Sequence, residues 1–126
     1  VSDSVLLLVG PSVGGIRRHV AFLAGALEDQ GWTVAVAGPE WAVEAMRRPN
    51  RRVEVVPIGI PPWRAARAMR ALRRAAVGVD VVHAHGLTAG WCAALARGIP
   101  PVVVTVHNVV IPETAGRNTA FLRALE

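Results

Sequence analysis

Short aliphatic runs alternate with helix-period segments along this chain. Val5-Leu6-Leu7-Leu8-Val9 is apolar throughout and closed by Gly10-Pro11-Ser12, which predicts a buried first strand. After Gly14-Gly15, the apolar positions Ile16, Val20, Leu23 and Leu27 recur at steps of four, three and four, and Gly31 stops the pattern. A helix is therefore expected over about Ile16 to Gln30. Thr33 to Ala37 reads as a second strand, Glu40 to Met46 as a short helix, and Val53 to Val56 as a third strand ahead of the Pro-rich stretch Pro57 to Pro62. Trp63 to Ala76 reads as a helix from its Ala and Arg content, with Ala66, Met69 and Leu72 to Ala76 on one side. Asp80-Val81-Val82-His83 predicts a fourth strand and Thr88 to Arg97 a helix ended by Gly98. Pro101 to Val106 predicts a fifth strand, whose continuous Val content suits a sheet covered on both faces.

This alternation predicts an α/β fold with a Rossmann-like, doubly wound parallel sheet of at least five strands. In such sheets ligands sit beyond the carboxyl ends of the strands, where the strand order reverses. Three loops qualify: Gly10 to Gly15, His83 to Thr88, and His107 to Val110. The last segment, Asn118 to Glu126, begins a helix that stops with the chain, so the sequence reads as breaking off in mid-protein.

Composition narrows the class. With 126 residues the chain fits one domain and is too short for a two-lobed enzyme. Hydrophobic residues make up 52% and charged residues 18%, which supports a packed core. The longest apolar runs fall far short of the roughly 20 residues that cross a bilayer. The opening Val-Ser-Asp-Ser has no basic stretch leading into an apolar one, so no signal peptide is expected and the start reads as trimmed. The net charge is +5, and every basic residue is Arg, a bias that a GC-rich, bacterial-like genome explains as readily as function does. Arg favours bidentate contacts to phosphate and carboxylate, which keeps anionic ligands or a membrane surface open as partners. Nucleic acid is disfavoured, because no basic run is interleaved with aromatics and Tyr is absent. The single Cys92 makes no internal disulfide and reads as small core filling in a reducing, cytoplasmic setting.

The loops carry the candidate chemistry. Gly14-Gly15 immediately before a helix lets backbone approach a ligand, while free N–H groups and the helix dipole favour an anion such as a phosphate. A tight turn without a ligand is the competing reading. The spacing is not that of a dinucleotide fingerprint, the second strand ends in Ala35-Val36-Ala37-Gly38 with no acidic residue for a ribose, and a Walker motif is impossible without Lys. A phospho-receiver is disfavoured because the first strand ends without acidic residues. His83 and His85 share one face if both are extended, but a hydrogen-bonded structural pair outweighs a metal site with His107 as third ligand, and no metal is assigned. A core role is expected for His83, and a polar cleft for His85 and His107. Arg64, Arg67, Arg70, Arg73 and Arg74 form a basic stripe, for which a solvated face outweighs contact with anionic lipid.

The motifs Gly14-Gly15-Ile16-Arg17-Arg18-His19-Val20, Gly31-Trp32-Thr33-Val34, Asp80-Val81-Val82-His83-Ala84-His85-Gly86 and Val103-Val104-Thr105-Val106-His107-Asn108 together resemble family-4 glycosyltransferases, in this order over nearly the whole chain. Trp32-Thr33 stands where the family usually has a His-x pair. The resemblance implies one lobe of a GT-B architecture: the amino-terminal, mainly acceptor-binding lobe of a retaining glycosyltransferase that uses a nucleotide-sugar donor without a metal or other cofactor. A carboxyl-terminal donor-binding lobe would be absent from the chain, which alone would then have little or no transfer activity. By the same resemblance Gly14 and Gly15 lie against the donor diphosphate, His107 orients the reacting sugar, and His85, Gly86 and Asn108 line the acceptor side. His19 matches the motif without an assigned duty, packing support being as good a reading. The basic stripe itself leaves a phosphorylated acceptor, or peripheral contact with the inner face of a membrane through Arg64, Arg67, Arg70 and Arg74, as the readings beside a solvated face. Two other classes remain at this point: a standalone module for a phosphorylated small molecule, and a structural or partner-binding domain.

Overall fold

A computed structural model describes residues 2–12, 14–59 and 62–107. Five parallel strands, β1 (Ser4–Val9), β2 (Thr33–Gly38), β3 (Arg52–Val55), β4 (Val81–His85) and β5 (Val102–Thr105), form one sheet in the order β3-β2-β1-β4-β5. The chain winds outward from β1 to β3 and then crosses back to β4 on the other side of β1. The strand order therefore reverses between β1 and β4, which opens a crevice beyond their carboxyl ends. Helices α1 (Gly15–Asp29), α2 (Glu40–Val43), α3 (Ala65–Ala75) and α4 (Leu87–Leu95) make the connections.

Strand periodicity sorts the core into two layers. On one face Val5, Leu7 and Val9 of β1 pack with Val34 and Val36 of β2 against Val20 and Ala24 of α1 and Ala42 and Val43 of α2. On the other, Leu6, Leu8, Val82 and Ala84 pack against Ala68, Leu72 and Ala75 of α3 and Ala89 and Ala93 of α4. β1 is buried along its whole length, as a central parallel strand covered twice must be. Cys92 packs against the second layer, and burial pushes its thiol pKa up.

Several expectations need correction. The predicted helix from Glu40 divides into the single turn of α2 and a 3-10 turn over Glu44–Met46. A 3-10 turn over Pro62–Arg64 precedes α3. Ala66 is exposed, and Ala68 occupies the core in its place. The arginines set the phase: Arg67, Arg70, Arg73 and Arg74 mark one face, on which Ala66 also lies, and Ala68, Leu72 and Ala75 lie opposite. β4 runs two residues further than expected, to His85, so His83 lies inside the strand. The expectation that β5 is covered on both faces does not hold, since Val103 and Val104 are 51% and 42% exposed. Among the described residues β5 pairs with β4 alone and stands at the sheet margin. The expected helix over 118–126 lies outside the described residues, as do Asn108 and the rest of the loop to Val110. No helix among the described residues is long and apolar enough to cross a membrane.

A polar latch fixes the amino ends of the two central strands. Asp80 Oδ2 accepts from the Ser4 backbone N–H at 2.8 Å and from the Ser4 hydroxyl at 2.7 Å, and the Asp80 N–H donates back to Ser4 Oγ at 3.0 Å. The hydroxyl and backbone bonds from Ser4 hold the Asp80 carboxyl below its ordinary pKa. Such a group adds stability that is present above the unfolded aspartate value and lost as pH falls through the lower folded one. Ser4→Ala is expected to cost roughly 1 kcal/mol in urea unfolding. Asp80→Asn is expected to lower Tm at pH 7, with the gap to wild type closing below about pH 4. A gap that persists unchanged in acid would rule out the latch as its cause.

Candidate functional site

The two glycine turns at the crevice are set by backbone sterics. Gly14 caps α1 with φ 75° and ψ −115°, and Gly86 ends β4 with φ 88° and ψ 161°, conformations that side-chain-bearing residues rarely adopt. Gly86 lies close under α1, since a Cβ built there would stand 3.7 Å from Cδ1 of Ile16. The start of α1 is therefore seated directly over the end of β4.

Alternation along the strands then decides which side chains meet there. Val82 and Ala84 take the α3/α4 face, which leaves His83 and His85 on the α1 face. The β4–β5 register pairs His85 with Thr105, so Thr105, and His107 two residues on, follow on that same face. His83 Nε2 bonds Thr105 Oγ1 at 2.7 Å, and His85 Nδ1 bonds His107 Nε2 at 3.0 Å. His19, one turn into α1, closes the group, its ring centroid lying 5.0 Å from that of His107 and 5.7 Å from that of His85. The rings of His83 and His85 are 4.1 Å apart. All four histidines of the chain thus share one cluster, drawn from three separate elements.

The cluster has a buried floor and an exposed rim. His85 is 1% exposed, His83 and His107 are half-buried, and His19 is exposed. Packing support, one reading of His19, does not fit an exposed ring. The core role expected for His83 belongs more fully to His85. His85, expected on the acceptor side, is buried next to His107, to which its Nδ1 is bonded. Burial, reinforced by the three neighbouring imidazoles, pushes the pKa of His85 down to about 3. Burial and the nearby rings also lower His83 and His107. With no carboxylate bonded to any of them among the described residues, these three rings are held neutral near pH 7.

The turn into α1 supplies the other half of the site. Gly14 and Gly15 are exposed, and no side chain caps the helix. The first turn has no acidic residue and instead carries Arg17 and Arg18, the sign that the helix dipole disfavours unless an anion is present. Arg17 turns away to Trp41, its guanidinium carbon 5.7 Å from the ring centroid and Nη1 3.3 Å from the carbonyl oxygen. Arg18 is exposed, and its guanidinium makes no hydrogen bond or ion pair among the described residues. Ser12 Oγ is buried without a hydrogen-bond partner, a state that in native proteins marks a place for a ligand or water. Nothing in the spacing of Ser12 signalled this, and the proximity of His19 to His85 depends on a crossover that no local pattern reveals. A groove of about 650 Å³ lined by Glu28, Trp32, Met46 and Arg51 opens beside the amino end of β2, the end of the sheet opposite the histidines. It belongs to a structural region, since Arg51 holds Glu28 there through two 2.6 Å bonds.

Comparison with known proteins decides the family. The model of Glycosyltransferase Family 4 matches residues 13–126. The chain belongs to glycosyltransferase family 4. Solved structures similar to this family-4 domain include the glycotransferase of kitacinnamycin, at 19% identity and TM-score 0.63 over 96% of the chain. Sucrose-phosphate synthase from Thermosynechococcus elongatus matches at 19% identity and TM-score 0.68 over 92%. At this identity the likeness shows the fold. The chain spans 34% and 36% of those two proteins, about a third of each. No curated protein sequence matches it.

Neutral histidines have a consequence for stability. Their folded pKa values lie below the unfolded one, so their contribution is complete above about pH 6.5 and is lost as pH falls from there toward the folded values. The urea midpoint is expected to drop between pH 6.5 and 4, with each such group contributing at most about 1.4 kcal/mol per pH unit. His85→Gln should flatten this slope. A wild-type profile that is level over the same range would contradict the buried, neutral cluster.

Proposed function

We propose that this chain is the amino-terminal, acceptor-binding lobe of a retaining glycosyltransferase of GT-B architecture, moving a sugar from a nucleotide-sugar donor to an acceptor. The observation that carries the reading is the meeting of the α1 turn and His107 at the β1–β4 crevice, within a chain matched to family 4 over residues 13–126. The free N–H groups at Gly14 and Gly15 suit the donor diphosphate, where they would stabilise the negative charge growing on the leaving group. Arg18 and the Ser12 hydroxyl are further groups suited to that anion. His107, half-buried and held by His85, is suited to hydrogen-bond the transferring sugar and orient its anomeric carbon. His85 acts through His107 as its positioning residue, and Gly86 contributes to the acceptor side together with Asn108. No cofactor or metal takes part in the transfer. The donor grip then resides in a second lobe, and this lobe alone transfers little or nothing.

In an enzyme carrying both lobes, His107→Ala is expected to lower kcat by about 100-fold or more while leaving donor affinity far less changed. Near-normal turnover would overturn the role of His107. If the chain alone instead bound a nucleotide or sugar phosphate tightly by calorimetry, it would be a self-sufficient phosphate-binding module.

Arg64, Arg67, Arg70 and Arg74 are all exposed, and their guanidinium groups make no hydrogen bond or ion pair among the described residues. We propose that this stripe lets the enzyme rest on an anionic membrane at the cytoplasmic face, next to a lipid-linked or surface-borne acceptor. Co-sedimentation with anionic vesicles should fall with added salt and with Arg67→Gln/Arg70→Gln. Absence of salt-sensitive binding would end the membrane reading.

A further inference from the structure

The histidine cluster has a property that sugar transfer does not use. His19, His85 and His107 each offer a ring nitrogen, and the three atoms lie within 4.8 Å of one another. We propose that this triad is a binding site for a divalent transition metal of the Zn2+ class. Three imidazole nitrogen donors without a carboxylate suit Zn2+, Co2+, Ni2+ or Cu2+ and reject Mg2+ and Ca2+, which require oxygen ligands. A tetrahedral site with Zn–N bonds of about 2.0–2.1 Å separates its ligand atoms by about 3.3 Å. His85 Nδ1 and His107 Nε2, at 3.0 Å, already stand near that spacing. The His19 ring is exposed and held by no hydrogen bond among the described residues, so a change of rotamer can bring it in.

A second observation points the same way. His85 is 1% exposed, and the only partner of its Nδ1 among the described residues is His107 Nε2, so a buried donor nitrogen faces the second ligand of the triad directly. His83 is excluded from the ligand set, because its Nε2 is engaged by Thr105. Loading needs little proton release, since burial keeps His85 and His107 in the neutral form that a metal requires. The site goes beyond the transfer reading. Metal and sugar would compete for His107, making the metal an inhibitor of transfer and not its catalyst.

The test is calorimetric titration of Zn2+ into the chain, alongside His19→Ala, His107→Ala and His83→Asn variants shown to be folded by circular dichroism. One Zn2+ per chain is expected, weakened at least ~10-fold in His19→Ala and in His107→Ala, with His83→Asn within about threefold of wild type. Co2+ should give a visible absorption band that Zn2+ displaces and Mg2+ does not. No binding of Zn2+, unchanged affinity in His19→Ala, or an equal loss in His83→Asn would each overturn the proposal. His19 is on the surface, so its variant keeps the test decisive even if His107→Ala fails to fold.

Discussion

The crossover from β3 back to β4 is the constraint on which the rest of this structure depends. It sets β4 beside β1, stacks the end of β4 under the start of α1, and leaves their carboxyl ends open. The Ser4–Asp80 bonds hold the opposite ends together, so the register between the two strands is fixed where no ligand chemistry is needed. Given that register, the two-residue repeat of a strand sends His83 and His85 toward α1, and the β4–β5 pairing sends Thr105 after them. A slip of β4 by one residue would put Val82 and Ala84 where His83 and His85 now stand.

Electrostatics follow from that packing. Four imidazoles within ring-contact distance cannot all carry charge, and burial decides that His85, at the bottom, is the first to stay neutral. The arrangement is a neutral donor-acceptor surface beside a helix end that carries arginines instead of carboxylates. One half of the crevice favours negative charge, and the other offers uncharged hydrogen bonding. That pairing is what supports the proposed ligand, with a phosphate at one end and hydroxyls at the other, in a chain that belongs to glycosyltransferase family 4.

Much of the fold was legible in the sequence, because central parallel strands are apolar without interruption and their helices keep a regular spacing. β1 and α1 were readable to within a residue or two. What escaped depended on neighbours. The misplacement of Ala66 was of another kind, since the arginines of α3 share its face and leave Ala68, Leu72 and Ala75 to the layer shared with β2 and α4. The Val run of β5 looked like a strand buried on both faces, yet burial depends on whether anything lies beside it, which composition does not encode. In the site, the two glycines and the histidines after β4 and β5 were visible as residues at strand ends. The nearness of His19 to His85 and the burial of His85 were not, because both depend on how α1, β4 and the segment after β5 pack together. Ser12 gave no signal, since an unpaired hydroxyl is a fact of three dimensions.

The central claim is that β4 and the segment after β5 hold His83, His85 and His107 neutral and hydrogen-bonded at the reversal of strand order, with His19 of α1 beside them. The imidazole 15N resonances of the four histidines, followed by NMR from pH 7.5 to 4.5, test it most directly. The account predicts that His85 stays neutral throughout and that its Nδ1 and Nε2 of His107 show the shifts of a shared hydrogen bond. Independent titration of all four rings near pH 6.5, with no such coupling, would contradict it.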